Sequence, residues 1–313
     1  MILVSDSFAI LPHFAYNLNI PFAAEASLML WILLALFVLF LLWVFLIFPG
    51  RATAKARAPF EGRAFAHRGL HTMDQSVPEN SLPAFRLAVD SGYGAELDIQ
   101  MTRDGQVVVF HDDDLKRGCG VDGRICDLTL EELKDLRLFG SEERIPLFSE
   151  VLEIFAGREP LIVELKTAPN ALGLCTASAR MLQEYDGPAC IESFDPWIVQ
   201  YFRRNDPKRV RGQLLNARKG YRGLPGYLGF ALSRGLMNVI ARPHFLAHSL
   251  EKKSPSVRLC EKLGAMRVCW TAREKELHDR RMEENDAVIF EGYSPRAGKN
   301  RRLLSGFCLP KQE

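Results

Sequence analysis

The stretch ELDIQMTRDGQVVVFHDDDL, residues 96–115, sets Glu96 and Asp98 two residues apart in a run that otherwise reads as a buried strand. Residues i and i+2 of a strand face the same side, so the two carboxylates converge. LIVELKTAPN repeats the spacing with Glu164 and Lys166. Like charges this close raise each other's pKa unless a cation neutralises them. A single acid in a strand is as readily explained by a buried Glu–Lys ion pair, which is costly to desolvate. Three acids near strand ends point instead to a divalent cation, and three hard oxygen ligands suit Mg2+ or Ca2+. The sequence has no Cys/His cluster that would argue for zinc.

His67 ends AFAH just before Arg68-Gly69, and His111 ends VVVFH. Two imidazoles at strand ends beside a carboxylate-bound metal make a general acid–base pair. Arg68 and Lys166 add cationic donors for an anionic substrate, most naturally a phosphate. Read from these residues alone, the chemistry is metal-assisted hydrolysis of a phosphate ester.

Short apolar runs able to position such residues recur at 64–67, 95–99, 107–111, 161–165, 189–193, 210–215, 237–240, 266–270 and 287–290. Helical spacing lies between most of them, at 82–91, 129–138, 149–155, 171–185, 196–205 and 256–264. This alternation predicts one (β/α)8 barrel, with a doubly wound sheet as the rival. Nine runs compete for eight places, so one is misread or lies outside the barrel. The link from Ile99 to Val107 is too short for a crossover helix, which makes the barrel irregular.

Upstream, the segment from Ala26 to Phe48 carries no charge and ends at Pro49-Gly50. At about 1.5 Å per residue it spans a hydrocarbon core of roughly 30 Å, which predicts a transmembrane helix. A secretory signal would need a basic n-region, and none precedes it. Arg51, Lys55, Arg57 and Arg63 follow the helix, whereas no Lys or Arg precedes it. The positive-inside rule therefore puts the downstream domain in the cytoplasm. Seven cysteines without a C-x-x-C pair agree with reduced thiols. The expected organisation is a non-cytoplasmic segment 1–25, a transmembrane helix 26–48, a basic linker 49–62 and a barrel domain 63–313. Forty Lys and Arg against 38 Asp and Glu give no reason to expect a nucleic-acid partner.

At these residues the sequence resembles the glycerophosphodiester phosphodiesterase family. The matching stretches are AHRG (66–69), VPENSLPAF (77–85), ELDIQMTRDGQVVVFHD (96–112), TLEELKDL (129–136), IPLFSEVLE (145–153), VELK (163–166), ESFDP (192–196) and CWT (269–271). The resemblance implies an irregular TIM barrel of the phospholipase-C-like phosphodiesterase type. It also implies hydrolysis of glycerophosphodiesters to glycerol 3-phosphate and an alcohol. Carried over by position, Glu96, Asp98 and Glu164 hold Mg2+ or Ca2+, and His67 and His111 are the acid–base pair. Arg68 and Lys166 bind phosphate, and Trp270 lies against the glycerol moiety.

The chain departs from the family's pattern in KRGCGVDG after His111, in ARPHF near the seventh strand, and in IFEGYSP. In the last, Glu291 stands where an Asp is expected. No departure removes an implied ligand, acid or base, so they bear on substrate preference. The anchor extends the candidate substrates to lysophospholipids at the membrane. The competing function class is a barrel without turnover, serving as a membrane-tethered headgroup-binding or scaffold module. Two further features read more simply as structure than as sites. His244 and His248, four apart, lack a third ligand. The basic and aromatic stretch 217–236, although it could touch anionic headgroups, is expected to be a loop with its own packed helix.

Overall fold

The computed structural model describes residues 22–295 apart from Arg222 and Glu251. The expected segment 1–25 therefore lies almost wholly outside the described residues. The chain divides into two compact units, Met1–Phe45 and Leu46–Glu313. In the first, the helix Phe22–Ile47 includes Ser27–Ile47, 21 residues of mean hydropathy 3.1, long and apolar enough to cross a membrane. Its side chains from Leu28 to Leu42 are exposed. A helix apolar all round occurs either buried in a protein core or spanning a membrane.

The second unit is a closed parallel barrel. Its strands are β1 (Arg63–His67), β2 (Gly94–Met101), β4 (Leu161–Leu165), β5 (Ala189–Ser193), β6 (Arg211–Leu215), β7 (Phe245–Ser249), β8 (Met266–Ala272) and β9 (Ala287–Phe290), with β3 (Val107–Val109) beside β2. The order β1-β9-β8-β7-β6-β5-β4-β2 closes through β1–β2. All residues of β2, β4, β5, β6 and β9 are buried, as expected where side chains fill the lumen and helices cover the outside.

The pleat separates floor from mouth. Parallel pairing aligns His67 with Glu96, Asp98 with Glu164, and Glu164 with Glu192. Two residues below, on the same inward face, Phe65, Ile162 and Cys190 belong to an apolar cluster with Val210, Phe245, Met266 and Ile289. Gly94 belongs to this tier because a Cβ there would sit 2.6 Å from the Phe65 ring. Apolar packing thus fills the bottom, and charge begins one tier higher.

The residues expected to form a basic linker pack under that floor. Thr53 caps the short helix Ala54–Arg57, and Ala52, Ala56 and Phe60 join the floor cluster, with Phe60 stacked on Phe65. Gly50 N donates to Pro243 O at 2.8 Å, Asn238 Nδ2 to Ile47 O at 3.1 Å, and an Arg242 guanidinium nitrogen to Phe48 O at 2.8 Å.

Two of the expected strands differ. Run 107–111 lies outside the barrel: residues 107–109 form β3, antiparallel to β2. Run 237–240 is instead part of the helix Asn238–Ala241, and FLAHS at 245–249 supplies β7, the sixth of the eight barrel strands. A four-residue apolar run has no periodicity that distinguishes strand from buried helix. The expected helices form at Leu82–Asp90, Phe148–Phe155, Ala171–Glu184, Pro196–Asn205 and Pro255–Lys262, whereas 129–138 keeps only the turn Leu130–Leu133. The stretch 217–236 contains the helix Gly226–Ser233, with Tyr227 and Phe230 exposed and the Arg234 guanidinium 5.0 Å from the Phe230 ring. The six cysteines among the described residues are unpaired.

Candidate active site

β1 ends at His67, and the backbone then turns through Arg68 at φ 55° and Gly69 at φ 79°. At Gly69 a Cβ would meet the Cβ of Ala84 at 2.9 Å, so glycine serves both the angle and the close helix approach. The turn points Arg68 N at Glu96 Oε2, 3.1 Å away, and the guanidinium at Glu79 Oε1, 2.7 Å away. Asn80, also left-handed, returns its N–H to Arg68 O at 2.8 Å and donates Nδ2 to Asp98 Oδ2 at 2.9 Å. Ser81 then caps the helix Leu82–Asp90. HRG and PEN therefore form one linked pair of turns above β1 and β2.

The histidine after β3 has an equally local cause. Gly105 turns the chain at φ 85°, Thr102 N donates to Gln106 O, and β3 folds back along β2. Phe110 N bonds Asp98 O at 2.9 Å, which returns His111 to the level of that carboxylate. His111 Nδ1 lies 2.6 Å from Asp112 Oδ1, and Arg117 ties Asp112 to Glu79 with contacts of 2.6 Å to each.

Glu96, Asp98 and Glu164 each offer an oxygen within 4.8 Å of the others, and all three are buried. Lys166 Nζ lies 2.7 Å from Asp98 Oδ1 and 2.8 Å from Glu164 Oε1. Glu192, 1% exposed, stands next to Glu164 with no hydrogen-bond partner on Oε2 among the described residues. Burial, reinforced by Asp98 and Glu164, pushes the Glu96 carboxyl well up. Burial moves Glu164 to about 7 against the pull of Lys166, and pushes Glu192 well up with help from Glu164. Burial opposes ionisation of Asp98 too, but Lys166, His111 and Arg68 outweigh it and hold that carboxyl well below its usual range. Four buried carboxylates thus share two cations, Arg68 and Lys166. A divalent cation on the three convergent oxygens balances the remaining charge, so the donor set fits a hard metal ion.

Both imidazoles sit below their ordinary pKa, chiefly through burial. His67 Nε2 is 3.8 Å from Glu96 Oε2, and its Nδ1 is 3.0 Å from Glu291 Oε1. An open cleft of about 390 Å³, lined by His111, Asp112, Glu164, Lys166, Ser193 and Phe194, leads to the carboxylates. Trp270, half-buried on β8, stands edge-on to Phe194 at 6.0 Å, and among the described residues its indole N–H has no hydrogen-bond partner.

The barrel therefore brings His67, Arg68, Glu96, Asp98, His111, Glu164 and Lys166 together, with Trp270 beside the lining residue Phe194. His244 and His248 fall just before and within β7, and among the described residues they form no ligand cluster. Reasoning from sequence missed Glu79, Asn80 and Glu192. PEN and ESF were visible as stretches, but nothing local in them shows that they reach Asp98 and Glu164.

Residues 67–291 match the family model described as glycerophosphoryl diester phosphodiesterase family. A glycerophosphodiester phosphodiesterase of Caldanaerobacter subterraneus is 41% identical over 160 residues, covering 48% of this chain and 65% of that protein. A rat protein named lysophospholipase D GDPD1 is 33% identical over 138 residues, covering 40% of this chain and 43% of its own. The chain thus spans less than two thirds of either curated relative. Among solved structures, an Oleispira antarctica phosphodiesterase in complex with the product sn-glycerol-3-phosphate superposes with a TM-score of 0.62 at 25% identity, over 75% of this chain and 94% of that one. With the match running from the histidine that ends β1 to the acid that follows β9, the chain belongs to the glycerophosphoryl diester phosphodiesterase family.

Proposed function

We propose that this chain hydrolyses glycerophosphodiesters to glycerol 3-phosphate and an alcohol, using Mg2+ or Ca2+ held by Glu96, Asp98 and Glu164. The observation that carries this reading is the meeting of three buried carboxylate oxygens within 4.8 Å, flanked by two imidazoles and two cationic side chains. The product bound to the Oleispira phosphodiesterase supports the same substrate class.

When bound, the cation supplies Lewis-acid polarisation of the phosphoryl oxygens. Arg68 and Lys166 hold the phosphate and offset charge that builds on it. His67, facing Glu96, accepts the proton of the attacking hydroxyl. His111, at the open cleft, protonates the departing alkoxide. Their lowered pKa values favour neutral rings, so His67 is ready as a base, and His111 takes a proton from solvent water before passing it to the alkoxide. Trp270 offers an apolar face to the glycerol carbons.

The same reading places Ser27–Ile47 in a bilayer, with the domain on the cytoplasmic side by the charge asymmetry of its flanks. The name of the rat relative favours a second substrate, lysophospholipid, cleaved to lysophosphatidic acid.

The test is incubation of the purified full chain with glycerophosphocholine and with lysophosphatidylcholine, under Mg2+, Ca2+ or chelator. Choline, glycerol 3-phosphate and any cyclic phosphate are then quantified. Metal-dependent choline release from glycerophosphocholine supports the proposal, and faster release from the lysolipid moves it to the second substrate. Cyclic product would show that the glycerol hydroxyl attacks before water. No turnover of either substrate under any metal overturns the enzyme reading in favour of a binding barrel.

A further inference from the structure

Glu291, the first residue after β9, has no part in the reaction above, yet two donors, His67 and Arg273, converge on it. Its Oε1 is 3.0 Å from His67 Nδ1 and 3.4 Å from His71 Nε2, and its Oε2 takes the Arg273 Nε–H at 2.8 Å. His71 is buried at 3% exposure, and its Nδ1 lies 3.2 Å from Thr72 O. A carbonyl only accepts, so a neutral His71 spends its Nδ1–H there, and its Nε2 has no hydrogen left to give the carboxylate. Arg273 reaches in from the loop after β8, His71 from the turn after β1.

The same donor logic decides the state of His67. An ionised carboxylate has no hydrogen to give, so the hydrogen between Glu291 and His67 belongs to Nδ1. A neutral ring then keeps its lone pair on Nε2, the nitrogen that looks toward Glu96. Burial works against the Glu291 charge, but the hydrogen bond from His67 and the nearby Arg273 help to outweigh it and hold the carboxyl well below its usual range. Rotating the ring or swapping its tautomer would leave a buried carboxylate oxygen short of a donor, which is costly.

We propose that Glu291 is a positioning residue that fixes the ring orientation and tautomer of His67, and that Arg273 braces Glu291 for that task. The inference rests on the reading of His67 as the proton acceptor. It differs from a plain β8–β9 ion pair because it makes a statement about one imidazole's nitrogens.

The test uses the full chain in detergent, 15N-labelled at histidine, with the His67 signals assigned by their loss in His67→Ala. The parent is expected to show a protonated Nδ1 and a bare Nε2 at His67. Glu291→Gln should mix the two tautomers and lower kcat by about 10- to 100-fold, the usual cost of losing such an outer partner, with KM changed less than about threefold. Glu291→Asp, which keeps the charge and shortens the reach, should fall between the two, and it carries the test should Glu291→Gln fail to fold. An unchanged His67 nitrogen pattern in either folded variant overturns the proposal, as does a KM effect without a kcat effect. If the parent turns over no diester but the nitrogen pattern responds as described, the substrate reading fails and the positioning role stands.

Discussion

Lys166 Nζ lies 2.7 Å from Asp98 Oδ1, joining the strand that opens the acid cluster to the strand that completes it. Asp98 is buried at 1% side-chain exposure and Lys166 largely so at 12%, and each stabilises the charge of the other. Lys166 also contacts Glu164, so it touches two of the three carboxylates. The account gives it a second task, holding the phosphate. Lys166→Gln is expected to lower kcat/KM by about 10²-fold, the scale for losing one preorganised donor. Calorimetric titration of the variant should still show a divalent ion binding. Loss of ion binding together with activity would mean that the lysine builds the metal site rather than serving the substrate.

The pH dependence of the metal-free protein follows from Glu164. Its folded pKa, about 7, lies above the ordinary glutamate value of 4.5, so the fold prefers the protonated acid. That preference is fully present below the ordinary value and is lost as pH rises through about 7. In chelator, Glu164→Gln should therefore gain Tm relative to the parent between pH 5 and pH 8, with the gap largest at pH 8. Adding Mg2+ should reverse the order, because only the parent keeps the full ligand set. Differential scanning fluorimetry at four pH values decides it, and a gap that does not vary with pH contradicts the assignment.

The two imidazoles should separate by leaving group. Each alanine variant, His67→Ala and His111→Ala, is expected to lose about 10²- to 10⁴-fold in kcat on glycerophosphocholine. A diester whose alcohol is p-nitrophenol needs no proton on departure, so it should restore most of the loss in His111→Ala and little in His67→Ala. Equal rescue, or rescue of the wrong variant, would exchange or remove the assigned roles.

Much of this site was legible because its ligands come in pairs. Glu96 with Asp98, and Glu164 with Lys166, reveal a shared face through i, i+2 spacing alone. The irregular barrel was legible for a similar reason: the Asp104-Gly105 turn leaves room for a hairpin and no helix. What escaped notice depends on contacts between distant segments. Glu192 is a single acid in ACIES, and only the β4–β5 register puts it beside Glu164. Glu79 reads as an ordinary residue before a helix cap until Arg68 and Arg117 are found on either side of it. FLAHS was overlooked because the apolar run just before it competed for the same strand.

The barrel floor makes a prediction about stability. Phe60 is 4% exposed and stacked on Phe65, although it precedes the first strand. Phe60→Ala should destabilise the domain by about 3–5 kcal/mol, the range for truncating a buried phenylalanine. Chemical denaturation of the full chain in detergent measures it. A change below about 1 kcal/mol would show that residues 49–62 are a free linker.

The central claim is tested most directly by isothermal titration of Mg2+ and Ca2+ into metal-free parent, Glu96→Ala and Asp98→Ala proteins. The account predicts one ion per parent chain, with proton release at neutral pH as the raised carboxyls ionise, and no such binding in either variant. An ion bound equally well by all three proteins, or by none, would contradict it.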